Sequence, residues 1–207
     1  MSINNDFTEK LTGIWENNIK EDYKNELLSY EADLQASLYM HLREKLEKNY
    51  KIYLEQEKFD ESGTPDIIVC DHKERERKRK IKCILELKYL PHTRSHKGLS
   101  DMKKLEDIHN YFKNRENKCA IWMECPHRTD EFNNNDQKKW DEEHWEPHFI
   151  DDDAIFGFVL IAPGTIFKDN AGLINEFLEK DKNYLVLAGK TYITQKGKCD
   201  FRVLSGK

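Results

Sequence analysis

Two apolar runs separated by a block of charge constrain this chain more than any other feature. Residues 67–70 (IIVC) and 81–87 (IKCILEL) flank the charged run DHKERERKRK. Both runs have strand length and are rich in β-branched residues, so they predict a pair of strands joined by a long polar connection. In the second run the side chains alternate. Ile81, Cys83, Leu85 and Leu87 are expected on one face, and Lys82, Ile84, Glu86 and Lys88 on the other. Asp66 opens the first strand directly after Pro65, and pairing the two strands brings its carboxylate beside that of Glu86. Two carboxylates and an ammonium group then converge.

Close carboxylates resist joint ionisation unless a cation lies between them. A hard, oxygen-rich site of this kind suits Mg²⁺, which takes one or two carboxylates and fills its remaining positions with water and phosphate oxygens. Such an ion polarises a phosphoryl oxygen and activates water, with Lys88 placed to orient that water or offset developing charge. Pro65-Asp66 followed by Glu86-Leu87-Lys88 resembles the signature of the PD-(D/E)XK nuclease superfamily, the restriction-endonuclease-like fold. The resemblance implies a metal-dependent nuclease using Mg²⁺ or Mn²⁺. It implies Asp66, Glu86 and the Leu87 carbonyl as metal ligands, and Lys88 as the catalytic lysine. The triplet alone is common in a chain that is 35% charged, and it recurs at Asp22, Asp71, Glu76, Asp101, Glu116 and Asp136. Only the triplet at Glu86 closes an apolar alternating strand that follows a Pro-Asp strand.

A length of 207 residues suits one α/β domain. The net charge of −5 does not mark a nucleic-acid binder by itself, but the charge is uneven. Residues 73–82 are basic and 130–153 acidic, and local patches set the field at a site. The cysteines at 70, 83, 119, 125 and 199 lack the compact spacing of an iron–sulfur ligand set, and two fall inside apolar strands. Together with the absence of a signal-peptide core or an 18-residue apolar run, they point to a cytoplasmic protein with no membrane association.

In chain order, Asp6 and Glu9 have capping-box spacing before a helix running to about Ile19. A longer amphipathic helix over 25–48 carries Leu27, Leu34, Leu38, Leu42 and Leu46 on one stripe. Glu31 lies in that stripe, with Gln35 four residues on. It either reaches the active site, as the resemblance implies for an acidic residue of the first core helix, or sits at the stripe's edge in solvent. Residues 51–59 alternate as a strand, in which Glu55 or Glu57 is a lesser candidate for the metal. The run around Lys78, Arg79 and Lys80 is either a solvated extension or a grip on a phosphate backbone. Arg94 and Lys97, with His92 and His96, stand in a donor-rich loop after the motif as phosphate contacts; the loop context argues against a zinc pair.

Ser100 predicts a helix start, followed by Met102, Leu105, Ile108 and Phe112 as a core stripe. Asp101 and Lys104 near its start could reach the active site, but helix-surface charges are the preferred reading. Residues 118–124 predict a buried strand. The resulting order of helix, three strands, helix and strand over about 26–124 is the core arrangement that the nuclease superfamily shares. Residues 125–153 lack period and read as a loop or lid; His144, Glu146 and His148 near Asp151, Asp152 and Asp153 form a weaker candidate for a second metal site. A strand at 156–162, a helix at 170–180 and strands at 184–188, 190–195 and 201–204 extend the sheet. The expected fold is α/β, a mixed sheet flanked by helices with an αβββαβ core and C-terminal strand and helix additions.

The functional expectation is a DNA endonuclease. DNA is preferred to RNA as partner, and an endonuclease is preferred because no Gln-x-x-x-Tyr element of the exonuclease branch follows Lys88. A homodimer would bring a second active site to duplex DNA. Two alternatives belong to other classes: a non-catalytic nucleic-acid-binding or assembly module on the same scaffold, and a nuclease subunit active only with a partner.

Overall fold

The computed structural model describes residues 5–46, 48, 50–55, 63–71, 79–91, 99–113, 119–124, 145–192 and 198–206, with the backbone alone at 5, 79, 119–124 and 145–148. An N-terminal helical stretch comprises α1 (Asn5–Gly13), a π-helical turn (Ile14–Ile19) and α2 (Lys20–Lys24). It is followed by α3 (Glu31–Lys45), β1 (Tyr50–Leu54), β2 (Ile67–Asp71), β3 (Arg79–Tyr89) and α4 (Asp101–Lys113). The remainder is β4 (Cys119–Glu124), β5 (Trp145–Pro163), α5 (Gly164–Asp169), α6 (Ala171–Lys180), β6 (Tyr184–Thr191) and β7 (Cys199–Ser205).

The sheet runs β1-β2-β3-β5-β6-β7, with β4 paired to β5 off this row. β1, β2 and β3 form an antiparallel meander, β3, β5 and β6 run parallel, and β7 returns antiparallel. The central strands are apolar on both faces because helices cover both, as parallel sheets require. One face packs Ile68, Ile84, Phe156, Phe158 and Val186 against Met102, Leu105 and Ile108 of α4 and Ile174 and Phe177 of α6. The other packs Val69, Cys83, Leu85, Leu87 and Leu187 against Trp15 and Ile19 of the N-terminal stretch and Leu34, Leu38 and Leu42 of α3. This is the expected α/β class, a mixed sheet flanked by helices.

Several expected boundaries move. The N-terminal helical stretch continues to Lys24, and α3 starts at Glu31 rather than near 25, because Glu26 takes a positive φ of 60° and breaks the helix. Asp33 then accepts the backbone N–H groups of Ser29 and Tyr30 and closes the new N-terminus. Leu27, placed in the stripe by its spacing, is instead exposed, and Leu28 is buried in its stead. Ile81 lies on the α4 face, opposite Cys83, Leu85 and Leu87, because the register with β5 shifts between Ile81 and Cys83.

The strand expected at 118–124 forms, but it pairs with the beginning of β5. The parallel neighbour of β3 is β5 itself. Consequently residues 145–153, expected in a loop or lid, belong to a 19-residue strand. Lys190 and Thr191 end β6 rather than opening a separate strand.

Candidate functional site

The site lies where the C-terminal end of β3 and the start of β2 meet the first turns of α3 and α4. Asp66 immediately precedes β2, and its backbone is fixed on both sides. Its N–H donates to the Leu85 carbonyl at 3.2 Å, while its carbonyl accepts from Glu55 N–H at 3.1 Å and Gln35 Nε2 at 3.1 Å. The side chain is fixed as well: Leu87 N–H donates to Asp66 Oδ2 at 2.6 Å. The meander therefore delivers the Asp66 carboxylate to β3 one residue beyond Glu86.

Glu86 follows Ile84 on the α4 face of β3 and is 3% exposed, one of few buried charged residues. Burial pushes its carboxyl up to about 7; the hydrogen bond from Lys104 opposes this and the Asp66 charge adds to it. Asp66 is likewise raised, first by burial, with the Leu87 N–H opposing and the Glu31 charge contributing. Burial and neighbouring negative charge thus act together on both carboxylates, the signature of a pair short of positive charge.

Lys88 lies between the two helices. Its Nζ is 2.9 Å from Asp101 Oδ2 and 3.5 Å from Glu31 Oε1. Burial alone would lower the ammonium's pKa, but the Asp101 hydrogen bond and the Glu31 charge outweigh it and hold Lys88 above the ordinary lysine range. Glu31 also accepts the Tyr89 N–H through Oε2 at 3.3 Å, so it faces the site from the first turn of α3. Four carboxylates (Glu31, Asp66, Glu86 and Asp101) therefore surround two ammonium groups, Lys88 and Lys104. Carboxyl groups outnumber ammonium groups by two, and the raised proton affinity of Asp66 and Glu86 accompanies that imbalance.

Asp101 and Lys104, expected on the outer surface of their helix, are both part of this cluster. Lys104 Nζ donates to Glu86 Oε2 at 2.7 Å and to the Thr64 carbonyl. The helix start at Ser100 and the three-residue spacing place both in the first turn of α4, but only the topology sets that turn over the end of β3.

Other candidates fall elsewhere. Glu55 follows β1 with a positive φ of 47° and is exposed, while Glu57 lies outside the described residues. Lys80 is exposed beside Asp71, Arg79 is described as backbone only, and Lys78, His92, Arg94, His96 and Lys97 lie outside the described residues. Asp151, considered for a second metal site, is instead ion-paired with Lys82. His144 lies outside the described residues, and Glu146 and His148 are described as backbone only.

Among the described residues, no three His, Cys, Asp or Glu side chains gather to hold a metal by themselves, and no helix is long and apolar enough to cross a membrane. No protein-family model matches the chain, and no curated protein or solved structure resembles it significantly.

Proposed function

We propose that this chain is a metal-dependent nuclease of the PD-(D/E)XK type, a cytoplasmic enzyme that hydrolyses phosphodiester bonds in DNA as an endonuclease. The observation that carries this reading is the placing of the part-buried Asp66 carboxylate on Leu87 N–H, next to the buried Glu86, with Lys88 two residues after Glu86 on the same strand. Asp66, Glu86 and the Leu87 carbonyl would hold Mg²⁺ or Mn²⁺, leaving its other positions to water and substrate oxygens. When bound, the ion supplies Lewis acidity to the phosphoryl oxygen and lowers the pKa of a coordinated water.

The chain's own residues do the rest. Leu87 N–H fixes the rotamer of Asp66, so one oxygen of that carboxylate has a set direction. Glu31 and Asp101 hold Lys88 charged from two sides, as a group that offsets transition-state charge must be. Lys78, Arg79 and Lys80, with Arg94 and Lys97, are the proposed phosphate contacts, and a homodimer would present two such sites to duplex DNA.

Purified protein should nick supercoiled DNA with Mg²⁺ or Mn²⁺ and stop on chelation, and Asp66→Asn should reduce cleavage at least about a hundredfold while melting cooperatively. Cleavage by Asp66→Asn at the parental rate, from a preparation free of contaminating nuclease, refutes the site. A second reading, a non-catalytic module on this scaffold, is favoured by one observation: Lys104 already neutralises Glu86 within the protein. Nucleic-acid binding without cleavage under any divalent ion would select it.

A further inference from the structure

Lys104 is tied into the site more firmly than a solvated helix cation. The side chain of Glu86 is only 4% exposed, and Lys104 Nζ lies 2.7 Å from its Oε2. The same ammonium donates to the Thr64 carbonyl. Its stem lies against Gly63, where an added Cβ would stand 3.1 Å from Lys104 Cε, and Gly63 adopts a φ of +98° that glycine alone takes without strain. One side chain therefore joins the first turn of α4, the turn that enters β2, and the C-terminal part of β3. An ion approaching Glu86 meets a cation already in contact with it, and two cations crowded on one buried carboxylate repel each other strongly.

We propose that Lys104 is a resident counter-ion which a divalent cation displaces from Glu86, so that the first turn of α4 sets how tightly the site takes metal. This inference rests on the metal-dependent reading above. Lys104 is a positioning residue in this scheme. It favours the charged form of Glu86 and keeps the Gly63–Thr64 turn seated before metal arrives. After displacement the ammonium remains tethered through Thr64, and its three donors exceed what one carbonyl uses.

The test is Mn²⁺ titration of the full chain by electron paramagnetic resonance, without nucleic acid. Parent, Lys104→Met, Lys104→Gln and Lys103→Met are compared. Lys103 is the control: a cation of the same helix turn, exposed and paired with Asp107. Lys104→Met should bind Mn²⁺ about tenfold more tightly than the parent, as expected when a charge-assisted contact no longer competes. Lys103→Met should stay within about twofold. If Lys104→Met does not fold, Lys104→Gln, which keeps a donor for Thr64, carries the same comparison. Equal or weaker binding by the folded Lys104 variant overturns the displacement and leaves the nuclease reading standing. A tightening of the same size in Lys103→Met also overturns it, since the effect would then be general charge. No Mn²⁺ binding by any variant at millimolar concentration overturns both.

Discussion

The two ends of β3 carry the same residue types and treat them in opposite ways. Near its start, Lys82 meets Asp151 one to one. Burial alone would raise Asp151, but the Lys82 hydrogen bond and charge overcome it and hold the carboxyl below its ordinary range. Near its end, four carboxylates share two lysines, and the two most central, Asp66 and Glu86, are raised. A matched pair is a finished structural contact. A mismatched cluster costs stability, and a fold retains it where the missing charge arrives from outside.

The largest effect expected from breaking this contrast is on turnover. On the proposed nuclease reading, Lys88→Ala should lower cleavage by about a hundredfold or more while Mn²⁺ and DNA affinities stay within a few-fold, because that reading needs its charge most in the transition state. Single-turnover cleavage beside equilibrium binding checks this, and an equal loss of metal binding would make Lys88 a scaffold residue.

The stability predictions have opposite signs at the two ends. Glu86 has a folded pKa of about 7 against an ordinary 4.5, so the folded state keeps a proton that the unfolded chain has released. Stability from this group is therefore lost as pH rises from about 4.5 through about 7. Glu86→Gln should gain roughly 1–3 kcal/mol at pH 8 in chelator, and the gain should vanish below about pH 4.5. Asp151 is depressed, so its contribution is present above its unfolded value and disappears as pH falls through the folded one. Asp151→Asn should cost about 1 kcal/mol at pH 7 and nothing in strong acid. Urea denaturation across pH resolves both, and the same sign at both ends would dissolve the contrast.

The smallest effect concerns the basic run that leads into β3. Replacing Lys78, Arg79 and Lys80 by Ala should leave stability nearly unchanged and flatten the salt dependence of DNA binding. The log–log slope should fall by about 0.9 for each phosphate that the variant no longer neutralises. An unaltered slope assigns these residues to solvent.

What was legible in the sequence follows from the range of the signal. The alternation of β3 put Glu86 and Lys88 on one face of one strand, and the pairing of β2 with β3, read as bringing Asp66 beside Glu86, sets its carboxylate on Leu87 N–H one residue further on. These are local patterns. Ile81 was misplaced because a register shift is a property of the pairing with β5, not of the alternation. Glu31 stood open between site and solvent, and it bonds Tyr89 N–H only because α3 begins at that residue. Residues 118–124 formed their strand, yet which strand neighbours β3 is decided by packing across the sheet. Asp101 and Lys104 were ranked as surface charges for the same reason: periodicity assigns a helical residue to core or surface, whereas both lie at a helix end capping a strand end.

The buried thiols of Cys70 and Cys83 have a practical consequence. They sit on neighbouring central strands but on opposite faces of the sheet, each fully buried, and burial pushes the Cys83 thiol far up. Opposite faces keep the two sulfurs from bonding to each other, so air oxidation cannot staple the strand pair that carries the site. Inert while the helices cover both faces, they become alkylatable only when that cover lifts, whereas Cys199, partly exposed on β7, is open to the same reagent without that event. The pair is a chemical clock for the opening of the sheet's centre.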